Sequence, residues 1–469
     1  MNQADSEKIN MILLQSGFIM INDWKQADLV IFNTCSVRQK GEDRVFGFLK
    51  KINLENTNNN KKIIVGITGC MVRKTGLSGK YLNNYKRDKN KAKNITVTKE
   101  KKAIYNNDDK LFPRANGKLD FVLRIEDTNY LPHILTQITG EYIGIDHKFS
   151  DYLKAKQLRE NPAQAIIIIQ TGCDNYCTYC IVPYTRGKEK SRQIEDIVSE
   201  AKEAVKNGAK EITLVGQNVN SYGKQWINKK FWNEEKGKWN DGLGKSPFRQ
   251  LLDEINKIEG LDRIRFTSSN PHDMTQDILD AHFELDKMCN YLHFALQSGS
   301  DEMLKKMNRR HKYSDFKKMV SYLRSKDPLF SISTDIIIGF SGETDEMFQK
   351  TIKSFKECNF DFTFNARYSV RKGTIASKIF PDDISNELKA ERWHILNNQL
   401  LKNVKSRNQL MLNRQEEVLI AGEKDNKFYG RTRNFKEVRF SKKEGIKIGD
   451  LVKVKITKLD KYALLGKLL

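Results

Sequence analysis

Three of the seven cysteines, Cys173, Cys177 and Cys180, fall within eight positions of the 469-residue chain. Their spacing, Cys-x3-Cys-x2-Cys, lies in the run QTGCDNYCTYCIVPYTRGKEKSR at residues 170–192. Three thiolates on one short loop can hold three irons of a cuboidal 4Fe–4S cluster, leaving the fourth iron open to a substrate or cofactor. A structural zinc site takes four protein ligands, and no fourth cysteine or histidine follows nearby. A ferredoxin would use Cys-x2-Cys-x2-Cys-x3-Cys-Pro with complete ligation. The pattern favours an open-site cluster, with zinc as the alternative. The odd, clustered thiol count also argues against a secreted disulfide framework.

A loop of this kind needs rigid flanks, and the flanking sequence supplies them. AIIIIQ (165–170), EITLVG (211–216), RIRFTS (263–268), YLHFALQ (291–297), SISTDIIIGF (331–340) and FTFNARYS (362–369) read as strands. Helical patterns such as 194–208 and 344–359 fall between them. Six β–α units over about 240 residues imply an α/β parallel sheet curled into a partial or complete barrel. Sites in such barrels form at the carboxyl ends of the strands, where the cysteine loop falls. Arg186, Lys188 and Arg192 follow closely and are expected to lower the thiolate pKa values and offset cluster charge. Other strand ends offer Gln217 and Asn218 to a cofactor or base, and Gln297, Ser298 and Gly299 to a ribose. Gly339 would let backbone approach a flat ring.

The two ends of the chain differ from this middle. Residues 1–145 read as mixed α/β, with ADLVIFNTCSV (27–37) ending near Cys35 and KKIIVGITGC (61–70) ending at Cys70. Taken alone, each is a buried strand-end thiol. The Lys/Asn-rich stretch 74–118 reads as a mobile insertion, and 224–246, with three of the five tryptophans, as an inserted loop. The last ~65 residues carry short alternating runs at 416–422, 428–434, 436–441, 451–459 and 462–469, the pattern of a small all-β barrel of an oligonucleotide-binding class. Cys289 and Cys358 read as structural thiols in helical contexts. His147, His272 and His311 read as surface or satisfied histidines.

Tyr179, just before the third thiol, completes Cys-x3-Cys-x-aromatic-Cys. Here the chain resembles the radical S-adenosylmethionine (SAM) enzymes, in which the open iron chelates the cofactor and reduction cleaves its sulfonium to a 5′-deoxyadenosyl radical. NTCSVR (33–38), GITGCM (66–71), PYTRGKEKSR (183–192), LVGQNVNSYG (214–223), LQSGSDEMLKKMNRRH (296–311), IIIGFSGET (336–344) and GRTRN (430–434) follow in order. Together they look like a methylthiotransferase of the MiaB type over essentially the whole chain.

The resemblance implies three parts: an N-terminal methylthiotransferase domain (1–145) with a second 4Fe–4S cluster, a radical SAM partial (βα)6 barrel (159–400), and a C-terminal OB-like TRAM barrel (404–469). It implies transfer of a methylthio group to carbon 2 of N6-(dimethylallyl)adenosine next to a tRNA anticodon, with SAM as methyl donor and radical source. By position, Cys173, Cys177 and Cys180 would hold the radical cluster, and Cys35 and Cys70 two corners of the auxiliary one. Tyr179, Gln217, Asn218, Gln297, Ser298 and Gly339 would line the cofactor. The family's remaining ligand lies in a Gly-Cys-Gln-Met-Asn-type motif whose internal methionine matches Met1, so in-frame codons upstream are expected to encode it. Ser341 and the run RKGTIA (371–376) depart from the family by lacking prolines.

Lysine and arginine total 82 against 59 acidic residues, a formal charge of +23 that favours a polyanionic partner. The basic residues of GRTRNFKEVRFSKK (430–443) are expected to grip phosphates, with Phe428, Tyr429 and Phe435 stacking on bases and the target adenine flipped out. Expected partners are a tRNA anticodon stem-loop, an electron donor such as flavodoxin or ferredoxin, and a sulfur source, acting on a monomer. No run approaches the ~18 apolar residues of a membrane span, and the N-terminal residues lack a signal-peptide pattern, so a cytoplasmic chain is expected. The alternatives are a methylthiotransferase for another tRNA adenosine or a ribosomal protein, and an RNA-binding protein with a crippled auxiliary cluster.

Overall fold

The computed structural model describes residues 1–35, 39–58, 62–72, 111, 115, 119–144, 152–159, 161–226, 232–233, 238–239 and 245–469. The stretch 74–118 lies outside these residues apart from Leu111 and Ala115, as does His147. The N-terminal unit runs α1 (Asn2–Gln15), β1 (Leu29–Thr34), α2 (Gln39–Asn58), β2 (Ile64–Gly69), β3 (Phe121–Val122) and α3 (Leu131–Thr139). Its strands form a parallel sheet in the order β1-β2-β3. A cleft of about 610 Å³ opens beside the edge strand β1, lined by Ile9, Leu13, Phe18, Leu29 and Ile31 among others. Thr34 pairs with Gly69 in the β1–β2 register, so Cys35 and Cys70 emerge side by side, one residue past their strands.

The middle of the chain forms the expected parallel barrel wall. Its elements are β4 (Gln164–Ile168), β5 (Gln170–Thr171), β6 (Lys190–Ser191), α4 (Ile194–Lys206), β7 (Glu211–Val215), β8 (Trp232–Asn233), β9 (Lys238–Trp239), α5 (Pro247–Asn256), β10 (Arg263–Phe266), α6 (Gln276–Glu284), β11 (Tyr291–His293), α7 (Tyr313–Lys326), β12 (Ser331–Ile338), α8 (Asp345–Cys358), β13 (Phe362–Arg367) and α9 (Asn386–Gln409). Parallel pairing gives β4-β7-β10 and β11-β12-β13, joined by bridges Ile264–Met288 and Ser269–Phe294. The helices cover the outer face because their apolar positions recur at helical spacing. In α4, for instance, Ile197, Ala201 and Ala204 are all buried. They pack on Ala165, Ile167, Ile212 and Leu214 in one continuous core, where each fully buried branched side chain contributes roughly 1.5–3 kcal/mol.

Three local expectations are corrected. The strand at 165–170 breaks at Ile169, and Gln170–Thr171 turns to pair antiparallel with Lys190–Ser191. The strand at 291–297 keeps a ladder only over Tyr291–His293. Cys289 lies just before β11 and is fully buried, not helical, whereas Cys358 ends α8.

At the C-terminus, β14 (Gln415–Lys424), β15 (Lys427–Thr432), β16 (Glu437–Ser441), β17 (Leu451–Asp460) and β18 (Ala463–Leu468) close into a barrel in the order β14-β15-β16-β18-β17. It packs against the amino-terminal ends of the parallel strands. Arg265 donates to the carbonyls of Thr432 (2.7 Å) and Arg433 (2.8 Å), and Arg263 to those of Arg431 (2.8 Å) and Glu417 (2.9 Å). Arg433 returns bonds to the Asp286 (2.6 Å) and Met288 (3.0 Å) carbonyls, and Phe435 stacks on Tyr291 at 4.3 Å.

This interface corrects the expected RNA grip. Phe428 belongs to the small barrel's core, Phe435 and Arg433 are committed to the larger barrel, and Lys436 is buried against Asp361. Tyr429 is half-buried, while Arg439, Lys442 and Lys443 remain at the surface. Among the described residues no helix is long and apolar enough to cross a membrane.

Candidate iron–sulfur and cofactor site

The cysteine loop grows out of the β5–β6 pair. Gly172 sits at φ +78°, where a Cβ would come 2.0 Å from the Lys188 carbonyl oxygen, so only glycine fits. The Cys173 amide then donates to the Gly187 carbonyl (3.1 Å) and the Cys180 amide to the Cys177 carbonyl (2.9 Å). The far side of the loop is clamped by the segment after Gln297. Asn308 Nδ2 donates to the Asn175 (3.1 Å) and Tyr176 (3.0 Å) carbonyls, and the Thr178 amide to the Met307 carbonyl (3.1 Å). A Gly172→Ala chain is expected to lose at least about 2 kcal/mol of stability and to take up less iron, read by thermal melting and by iron analysis after anaerobic reconstitution.

Cys173 and Cys177 are buried and Cys180 is half-buried. Burial pushes the Cys173 thiol up to about 12 and raises the Cys180 thiol as well. The expected role of the nearby basic residues is corrected here. Arg186 is buried against Asp5 at 2.5 Å, Arg192 holds Glu200 (2.6 Å) and the Ile168 carbonyl (2.9 Å), and Lys188 is exposed.

A cation that does reach a thiol of this loop is Arg309, whose Nη1 lies 3.6 Å from Cys177 Sγ while its Nη2 donates to the Ala295 carbonyl (2.7 Å). Asn175 Nδ2 lies 3.6 Å from Cys173 Sγ. Sequence reasoning missed Arg309; its only signal was its place in the NRRH end of the 296–311 motif. Glu189 accepts from the Asp174 amide at 3.4 Å, and burial raises its carboxyl to about 7.

Among the described residues no three His, Cys, Asp or Glu side chains converge on a single-ion position. Sulfurs that already receive N–H groups from Arg309 and Asn175 suit an anionic, thiolate-ligated cluster.

The remaining candidates gather around the same mouth with unequal roles. Tyr179 meets Phe340 edge-on at 6.3 Å, joining the cysteine loop to the end of β12. Gly339 has φ +67°, and a Cβ there would lie 2.4 Å from Lys389 Cγ. Asn218 is buried with Nδ2 bonded to Asp273 Oδ2 (2.6 Å), and Gln217 beside it is half-buried. Gln297 turns at φ 74° and donates its amide to the Asp335 carbonyl (2.9 Å).

Ser298 is drawn away from the mouth toward Thr351 of α8 (3.3 Å), and Gly299 is packed against the Lys350 carbonyl. Asn218 Oδ1 and Ser269 Oγ, at the ends of β7 and β10, are buried without a protein partner. Such orphaned groups fit a polar ligand such as SAM. His311 is buried rather than on the surface; burial, then Arg309, push it down to about 3.

At the N-terminal unit, the Cys70 amide and Asn2 Nδ2 both donate to the Thr34 carbonyl at 3.0 Å. Cys35 is exposed and Cys70 buried. Arg186 is also buried, its Nε and Nη1 have no protein partner, and Cys70 is among the charges acting on it, after Asp5. Unpaired guanidinium N–H groups near a thiol likewise suit an anionic group. Arg371 of the RKGTIA run holds Glu42 at 2.8 Å, binding this unit to the barrel mouth.

Six parallel strands with a three-thiol loop beyond the first define the class: the chain is a radical SAM transferase. The description "Radical SAM superfamily" matches residues 167–355, "Uncharacterized protein family UPF0004" matches 1–98, and "TRAM domain" matches 409–469. The tRNA-2-methylthio-N(6)-dimethylallyladenosine synthases of Clostridium botulinum (strain Hall) and Clostridium tetani are each 36% identical, over 477 and 475 residues, covering 100% of this chain and 94% of theirs. The chain belongs to this methylthiotransferase family. Among solved structures, the radical SAM methyltransferase TsrM from Kitasatospora setae, with cobalamin and a 4Fe-4S cluster bound, covers 80% of this chain and 70% of its own at 14% identity and a TM-score of 0.47.

Proposed function

We propose that this enzyme adds a methylthio group to carbon 2 of N6-(dimethylallyl)adenosine beside the anticodon of tRNA. The observation that carries this reading is the three-thiol loop at the mouth of the parallel barrel, in a chain related throughout its length to synthases of that nucleoside. The division of labour follows the three segments 1–145, 159–400 and 404–469. Cys173, Cys177 and Cys180 hold a 4Fe–4S cluster, and Cys35 and Cys70 contribute two ligands to a second. When bound, the clusters and SAM supply the electron, the radical, the methyl group and the sulfur.

The chain's own side chains do the positioning. Arg309 donates toward the Cys177 sulfur and offsets negative charge there. Tyr179 and Gly339 would line the SAM site, Gln217, Asn218, Gln297 and Ser269 would offer it polar contacts, and Ser298 supports the turn behind Gln297. A flavodoxin- or ferredoxin-type donor and a separate sulfur source complete the reaction in the cytoplasm, on a monomeric enzyme.

Nucleoside mass spectrometry of tRNA from a strain lacking the gene tests the reading. The methylthio nucleoside is expected to vanish and its dimethylallyl precursor to accumulate; unchanged nucleosides would overturn the assignment. Anaerobic reconstitution separates two clusters from one, at about eight against about four irons per chain.

A further inference from the structure

Among the described residues, one wall of the barrel interior carries two aromatic side chains that keep about two fifths of their surface exposed. The register pairs His293 with Ser333, Ser333 with Phe362, and Asp335 with Phe364, so all five residues share one face of β11-β12-β13. The opposite face is packed: Ile332, Ile336 and Ile338 enter the helix-covered core, and Thr363 and Asn365 are buried, with Asn365 Nδ2 bonded to Asn397 of α9 at 3.0 Å. The shared face therefore looks into the barrel. On it Phe362 and Phe364 are 40% and 41% exposed, edge-on to each other at 4.8 Å.

Polar groups beside the rings are held in place. His293 bonds through Nε2 to Asp335 Oδ2 (3.0 Å) and through Nδ1 to Ser333 Oγ (2.9 Å). Ser333 continues to the Tyr291 hydroxyl at 2.7 Å. The Asp335 side chain keeps 39% of its surface exposed, and its carbonyl accepts from the Gln297 amide (2.9 Å), while Arg309 spans from the Ala295 carbonyl (2.7 Å), two residues past β11, to the Cys177 sulfur (3.6 Å). The wall thus adjoins the cysteine loop, and β13 is the last strand of its sheet. Two open aromatic rings with a carboxylate at their edge match a purine that carries an N–H and an apolar substituent on its exocyclic nitrogen.

We propose that Phe362 and Phe364 bind the target adenine and its five-carbon N6 group, with Asp335 accepting from the base edge. This assignment rests on the proposed tRNA activity and makes the two rings the determinants of preference for the alkylated base. The discrimination available from an apolar group of this size is at least about tenfold.

The test compares affinities of the full chain for two short anticodon stem-loop RNAs that differ only in the dimethylallyl group. The parent is expected to prefer the alkylated RNA by about tenfold or more, and a Phe362→Ala, Phe364→Ala chain to lose that preference. A double variant that melts like the parent yet keeps the preference would overturn the proposal. A Phe362→Leu, Phe364→Leu chain, which keeps apolar volume without ring faces, is expected to bind both RNAs at least about threefold more weakly, and unchanged affinities would also count against it. A parent that binds both RNAs equally removes this assignment alone. A parent that binds neither removes the tRNA reading itself.

Discussion

A Cys177→Ala chain is expected to hold no 4Fe–4S cluster at the 173–180 loop and to release 5′-deoxyadenosine from SAM at least about a thousandfold more slowly than the parent. Two remaining thiolates anchor only two corners of a cuboidal cluster. Removing Cys177 also strands Arg309, whose Nη1 points at that sulfur from 3.6 Å in a pocket where an unpaired cation is costly. Iron content and 5′-deoxyadenosine yield, measured together under anaerobic reduction, check the prediction. Cys289→Ala is the control, because that thiol is fully buried beside Arg265 with no cysteine near it in sequence. Parent-like cofactor cleavage by Cys177→Ala would place the radical site elsewhere.

The second large effect is expected at Asp361, the carboxylate that ties the two barrels together. Asp361 Oδ1 accepts from Lys436 Nζ (2.8 Å) and Arg407 Nε (3.0 Å), and its Oδ2 from Arg324 Nη2 (3.0 Å) and the Ile332 amide (2.9 Å). An Asp361→Ala chain leaves three cations in a buried site without their counter-charge, at a cost of about 3–5 kcal/mol. Equilibrium urea denaturation at neutral pH reads that loss.

The same site predicts acid sensitivity. Burial alone would raise this carboxyl, but Lys436, Arg407 and Arg324 outweigh it and hold it at about 2, below the 3.8 of a free aspartate. The folded chain thus binds this proton less readily than the unfolded one. The stabilisation is complete above about pH 3.8 and fades as pH falls toward 2. Asp361→Asn is expected to flatten this part of the stability–pH curve; a variant with the parent's slope would show that other carboxylates dominate acid unfolding.

What the amino-acid order determined alone was whatever depends on neighbours along the chain. Strand and helix periods located the six strands of the barrel wall and the five of the small terminal barrel, because burial on one face imposes a local repeat. The spacing of Cys173, Cys177 and Cys180 is local in the same way: one loop brings all three thiols together. Partner choice among charged and aromatic side chains has no such local record. Arg186 stands six residues after Cys180, yet its carboxylate is Asp5, 181 positions away. A cation that does reach a thiol comes from 132 positions beyond Cys177. Phe435, in a run that reads as an RNA-binding loop, stacks instead on Tyr291 of the other barrel. Only the tertiary structure could decide these pairings, because a buried charge or ring is satisfied by whatever group the fold carries to it, at any distance along the chain.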